Sequence, residues 1–174
     1  ELGEDKEKIL SIQIPEKAGS FLKLSKIFSN SQITEFNYRL SDPNDAHVLV
    51  GVKTKSAKNF ISLKNKLSKN HYSFKDLTKN EISNDHLRHM VGGRSPTART
   101  ERVFRMEFPE RPGALLDFLE KLGNKWNITL FHYRNLGSAF GKVLVGIQDS
   151  SKNKELLKRY LKRTGYTFTE ETSN

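Results

Sequence analysis

An internal repeat constrains this chain more than any other feature. I-Q-I-P-E-K-A-G-S-F-L at residues 12–22 returns as M-E-F-P-E-R-P-G-A-L-L at 106–116, and I-T-E-F-N-Y-R at 33–39 returns as I-T-L-F-H-Y-R at 128–134. V-L-V-G at 48–51 recurs at 143–146, and His71-Tyr72-Ser73-Phe74 is answered by Gly165-Tyr166-Thr167-Phe168. The offset is 94 positions at the outer motifs and 95 between them, a one-residue insertion near Trp126. Two copies of one module of about 70 residues therefore fill the chain. The expected division is a first module at 1–78, a connector at 79–101 and a second module at 102–174.

Each copy reads β-α-β-β-α-β. Ile9 to Ile14 alternates as a strand, and Pro15 closes it because proline donates nothing to a ladder. Gly19 permits a turn into a helix on which Phe21, Leu22, Leu24, Ile27 and Phe28 recur at helical spacing. Residues 32–40 alternate again, with Thr34, Phe36 and Tyr38 expected on one face and Ile33, Glu35, Asn37 and Arg39 on the other. A turn at 41–45 leads to a paired strand at 46–53, then to a helix marked by Phe60, Leu63 and Leu67 and a last strand at 72–77. The second copy predicts a strand at 102–108, a helix at 113–123, a hairpin at 127–148, a helix at 152–163 and a strand at 165–170. The fold class is α+β: two tandem ferredoxin-like modules, each an antiparallel sheet with both helices on one face. In the connector, Thr78-Lys79-Asn80-Glu81 has capping-box spacing and predicts a short helix through Leu87 and Met90, stopped by Gly92-Gly93.

Chemistry-bearing motifs are few. The 174 residues contain no Cys, which excludes disulfides, thiolate metal sites and a thiol nucleophile. No run of about 18 apolar residues is present to span a membrane. His86 and His89 lie three apart on the expected connector helix, but no further ligand pattern accompanies them, and surface or packing roles account for both. Glu16 and Glu110 are equivalent carboxylates in separate modules, which does not make an acid/base pair. No catalytic residue and no metal site is assigned. The formal net charge of +10 comes largely from lysines on the polar faces of helices, where solvation explains them without nucleic acid.

What repeats most sharply is a recognition surface. In each copy Pro-x-x-x-Gly opens the first helix through Gly19 or Gly113, and an aromatic-x-aromatic-Arg tetrapeptide ends the next strand. These tetrapeptides are Phe36-Asn37-Tyr38-Arg39 and Phe131-His132-Tyr133-Arg134. Helix N-terminal amides attract a carboxylate, glycine allows close approach, and aromatic walls hold an apolar side chain, a combination suited to a free amino acid. Turn hardware and core aromatics repeat equally well, so these residues alone leave both readings open.

The motifs P-E-R-P-G-A-L-L-D-F-L, W-N-I-T-L-F-H-Y-R and V-L-V-G-I-Q, with I-P-E-K-A-G-S-F and I-T-E-F-N-Y-R in the first copy and D-H-L-R-H-M-V-G-G-R in the connector, carry a family resemblance. The chain resembles the C-terminal regulatory region of biosynthetic threonine dehydratase over nearly its whole length. That resemblance implies paired ACT-like modules that bind isoleucine as inhibitor and valine as its opponent. It implies a catalytic domain in the same protein that uses pyridoxal phosphate to turn threonine into 2-oxobutanoate and ammonia, with no cofactor in the present chain. It also implies a homo-oligomer. By resemblance, Tyr38 and Tyr133 are effector-site tyrosines and Leu115 lies in the helix that senses isoleucine, with Phe36, Phe131, Gly19, Gly113, Arg39 and Arg134 around them. A bacterial source implies the cytoplasm; a eukaryotic one implies plastid or mitochondrion, with any transit peptide absent from this chain. The copies differ at Ala18 against Pro112, and at Ser31-Gln32 against Lys125-Trp126-Asn127, so equal binding is not expected of them. Two other classes fit the same element order. One is an RNA-binding pair, disfavoured because 46–52 and 140–147 lack aromatics at alternating positions; the other is a structural dimerisation module.

Overall fold

The computed structural model describes residues 6–39, 45–79, 100–134 and 139–171. The expected connector helix, His86 and His89 lie outside them. The first module runs β1 (Lys6–Pro15), α1 (Ser20–Ile27), β2 (Gln32–Arg39), β3 (Asp45–Thr54), α2 (Ala57–Lys69) and β4 (Phe74–Asp76). The second runs β5 (Glu101–Pro109), α3 (Ala114–Leu122), β6 (Asn127–Arg134), β7 (Phe140–Gln148), α4 (Lys154–Arg163) and β8 (Phe168–Glu170). Both copies thus realise β-α-β-β-α-β, and all the pairings are antiparallel.

Local chemistry sets the ends of these elements. Pro15 is the last rung of β1, opposite Asp45, a strand end where a missing N–H is tolerated. The final strands are three residues long, shorter than expected, because the preceding residues turn back onto the helix ends. His71 and Tyr72 donate their N–H groups to Ser68 and Leu67, and Gly165 donates to Lys162. Helix α4 starts two residues later than its pattern suggested, because the Asn153 side chain caps it by accepting the Glu155 N–H at 3.1 Å.

The alternation expected in β2 is broken by a bulge between Ile33 and Glu35. Thr34 joins Glu35 on the outer face, opposite Gly51, and Ile33 packs with Phe36 and Tyr38 against the helices. A Cβ on Gly51 would stand 2.6 Å from Thr34 Oγ1 and 3.0 Å from Glu35 Cβ. β6 has the same shift between Ile128 and Leu130, and Gly146 faces Thr129 and Leu130 in the same way. The glycine repeated in V-L-V-G is therefore the residue that admits the extra residue of the bulge. Thr34 and Thr129 secure it by donating to Glu7 and Glu101 at 2.5 and 2.6 Å.

The two modules form one eight-stranded sheet, in the order β4-β1-β3-β2-β6-β7-β5-β8. β2 and β6 meet antiparallel, with Glu35 opposite Arg134, Phe36 opposite Tyr133, Asn37 opposite His132 and Tyr38 opposite Phe131. Asn37 and His132 hold the same place in the repeat, so a pseudo-twofold axis passes through their rung. One core runs beneath both halves, from Leu10, Ile12, Val48 and Val50 through Phe36 and Phe131 to Phe104, Val143 and Val145. The Phe36 and Phe131 rings meet edge to face across the seam, 5.5 Å apart. Burying a large apolar side chain contributes about 1.5–3 kcal/mol, so the seam is part of the core.

Candidate functional site

In the second module β5 ends at Pro109, and Glu110-Arg111-Pro112-Gly113 carry the chain into α3. Gly113 sits at φ 85°, a left-handed conformation that explains the glycine of the repeated motif. The turn forms one wall of a small cleft with about 40 Å³ of free volume. Leu115, Phe131 and Tyr133 make an apolar wall, and Ser31 with Gln32 and Ile33 at the start of the first module's β2 make the far side. Tyr133 donates its hydroxyl to Glu110 Oε2 at 2.6 Å. Gly141 on β7 lies close against this pair: a Cβ there would stand 2.7 Å from the Tyr133 ring and 2.4 Å from Glu110 Oε1.

The first module has the same pair in a closed setting. Tyr38 is fully buried and donates to Glu16 Oε2, while Asn127 Nδ2, from the second module, donates to Glu16 Oε1 at 3.1 Å. Burial pushes the Glu16 carboxyl above its usual range, and the hydrogen bonds from Tyr38 and Asn127 only partly oppose this. Phe21 takes the position of Leu115, its ring edge-on to Tyr38 at 4.7 Å. Trp126 takes the place of Ser31 and is buried, and Ala46 takes the place of Gly141. Two aromatic rings therefore narrow the equivalent space, leaving about 10 Å³ beside Phe21 and Trp126 against about 40 Å³ in the second module.

Phe36 and Phe131 are core residues of the seam, Gly113 and Leu115 line the cleft, and Gly19 lines the space at the start of α1. Arg134 follows Tyr133 on the strand, so alternation directs it to the opposite face; it is exposed there and does not line the cleft. Arg39 stands opposite Leu130 on the seam. Sequence reasoning did not assign Glu110, Gln32 or Ser31 to the site. The doubled Pro-Glu was the available signal for Glu110, but Gln32 and Ser31 reach the cleft only because β2 pairs with β6. Among the described residues no set of three His, Asp or Glu side chains is placed to hold a metal ion, and no helix is long and apolar enough to cross a membrane.

The fold defines a tandem pair of ferredoxin-like α+β modules. Comparison with known proteins makes this specific: the chain belongs to the family described as the C-terminal regulatory domain of threonine dehydratase, which matches residues 1–87 and 92–174. It is 42% identical over 174 residues to the biosynthetic L-threonine dehydratase IlvA of Burkholderia multivorans, and 39% identical over 167 residues to the chloroplastic biosynthetic threonine dehydratase of Arabidopsis thaliana. Identity is 37% over 175 residues to the mitochondrial threonine dehydratase of Schizosaccharomyces pombe. These alignments cover 100%, 96% and 100% of the chain, but only 34%, 28% and 29% of the relatives. The chain thus spans about a third of the length of the curated relatives it matches.

Proposed function

We propose that this chain is the effector-sensing part of a threonine dehydratase and that the cleft of its second module takes isoleucine as inhibitor, with valine as the opposing ligand. The observation that carries this reading is the Glu110–Tyr133 pair on the wall of a cleft that sets the apolar Leu115 and Phe131 beside the polar Ser31, Gln32 and Arg111. An amino acid offers an ammonium for the Glu110 carboxylate, a carboxylate for the amides at the start of α3, and a branched side chain for the wall of Leu115 and Phe131. The chemistry that pyridoxal phosphate supplies is assigned to the part of the relatives outside this chain, which spans about a third of their length. There threonine is converted to 2-oxobutanoate and ammonia, in a homo-oligomeric protein whose compartment follows its source.

The cleft has one wall from each module, and this gives it a route to regulation. An effector shifts a conformational equilibrium only through its different affinity for the two states. Isoleucine bound between the Pro109–Leu115 turn and Ser31–Ile33 registers any change in how the modules meet. Titration calorimetry with isoleucine and valine tests the reading on a sample shown to be folded by circular dichroism. We expect saturable heat from the parent chain and at least tenfold weaker isoleucine binding in Leu115→Phe, in which a ring enters the cleft as Phe21 does in the first module. In the intact enzyme the same substitution moves the isoleucine inhibition curve to higher concentrations. No heat from the parent at millimolar isoleucine or valine sinks the proposal.

A further inference from the structure

A second recess lies at the start of α1 on the first module, apart from the cleft between Glu110 and Leu115. It is lined by Lys17, Ser20, Lys23, Lys26, His71 and Tyr72, is open to solvent, and has a free volume of about 520 Å³. Its counterpart in the second module shows what such a place accommodates. There Asp117 fills it: the Tyr166 hydroxyl donates to Asp117 Oδ2 at 2.9 Å, with Lys121 at 3.2 Å and Arg111 at 3.6 Å from the same oxygen. Burial and then the Asp117 hydrogen bond push the Tyr166 hydroxyl up to about 12, so it remains a donor.

That arrangement is altered in the first module. Tyr72 and Lys17 stand where Tyr166 and Arg111 stand, but Lys23 replaces Asp117 and Lys26 replaces Glu120. Ile27 stands where Lys121 stands, so one of the two cations beside the carboxylate is lost together with it, while Lys23 and Lys26 add two others. Among the described residues none of Lys17, Lys23 and Lys26 has an ion-pair partner, and no hydrogen bond reaches the Tyr72 hydroxyl. Ser20, where the second module has Ala114, is more than nine-tenths buried and lines the recess, and its Oγ has no hydrogen-bond partner. His71 adopts φ 62° where the other copy uses Gly165 at φ 77°, a backbone cost for a non-glycine residue at the rim. Helix α1 opens into the same space from Gly19, whose side of the helix end carries no side-chain cap.

We propose that this recess binds a small phosphate-bearing anion, whose oxygens take the place that the Asp117 carboxylate holds in the second module. Three lysines without internal partners suit a dianion better than a single carboxylate, and the Tyr72 hydroxyl and the Ser20 Oγ supply neutral donors. The recess does not depend on the amino-acid reading of the cleft.

The test is titration of inorganic phosphate into the protein followed by phosphorus NMR, with acetate as the carboxylate arm and sodium chloride matching the ionic strength. Saturable phosphate binding is expected, weakened at least tenfold in Lys23→Asp, which installs the second module's own carboxylate. Lys17→Ala serves as a second variant should Lys23→Asp fail to fold, and is also expected to weaken binding. Leu115→Phe leaves phosphate binding unchanged, which separates this result from failure of the cleft. Binding that does not saturate, that acetate reproduces, or that survives Lys23→Asp and Lys17→Ala overturns the proposal.

Discussion

The two copies place a tyrosine and a glutamate in the same relation and surround them differently. In the first, Phe21, Trp126 and Ala46 close over Tyr38 and Glu16; in the second, Leu115, Ser31 and Gly141 leave Tyr133 and Glu110 facing an open cleft. The same hydrogen-bonded pair is thus a piece of core in one place and part of the wall of a recess in the other. Which role it plays is decided by three neighbours, one of them supplied by the other module. Repetition of a motif consequently identifies a shared scaffold, and only its surroundings identify a site.

The sharpest way to break this comparison is to truncate the two tyrosines. Tyr38→Ala removes a fully buried ring and leaves Glu16 without its hydroxyl donor, and is expected to cost about 3–5 kcal/mol in urea unfolding. Tyr133→Ala, half-buried beside open space, is expected to cost clearly less and to abolish isoleucine binding measured by calorimetry. Equal destabilisation by the two changes contradicts the closed and open assignment.

A comparable loss is expected at the outer edge of the second module. Arg102 is buried among Asp149 Oδ2 at 2.9 Å, Glu170 Oε1 at 2.8 Å and the Lys154 carbonyl at 2.8 Å. The first module has Lys8, Thr54 and Asp76 at the equivalent places. Arg102→Ala strands the buried Asp149 and is expected to cost about 3–5 kcal/mol, against about 0–1 kcal/mol for Lys8→Ala. The hydrogen bonds from Arg102 hold Glu170 below the usual carboxylate range. A lowered carboxylate stabilises the fold in full above its unfolded value of about 4.3, and that contribution is lost as pH falls through the lower folded value. Chemical unfolding from pH 6 to pH 3 should therefore show a flatter acid dependence in Arg102→Ala than in the parent.

The smallest expected effect runs the other way. Phe21→Leu gives the first module the residue of the second and loosens its packing on Tyr38 by about 1 kcal/mol. Trp126 and Ala46 remain, so calorimetric stoichiometry should stay at one site per chain. A second site appearing on this single change shows that Phe21 alone closes the first copy.

Most of the fold is written in local pattern. Alternation in Ile9 to Ile14, helical spacing from Phe21 to Phe28 and the doubled Pro-x-x-x-Gly each depend on neighbours in sequence, and each produces the element it indicates. The bulge at Thr34 is not visible as alternation, because an added residue shifts the faces without altering composition. The seam is harder still: which of several strand edges pair is decided by the fit of Phe36 against Phe131 and of Tyr38 against Phe21, and no spacing along the chain encodes that. For the same reason Tyr133 and Leu115 were legible as site candidates, whereas Ser31 and Gln32 were not. Arg134 is adjacent to Tyr133 in sequence and on the other side of the sheet in space.

The rung at which Asn37 meets His132 has a consequence for how such a protein accumulates change. Two identical single-module chains joined through this strand would make an isologous contact, in which each substitution is felt twice, once on each side of the dyad. A tryptophan that plugged one recess would plug both. Covalent fusion releases the halves from that rule. Asn37 and His132 are themselves no longer the same residue, and Phe21 can stand opposite a retained Leu115. The fused chain can alter one half while the other keeps its form, a freedom that a strictly symmetric homodimer lacks.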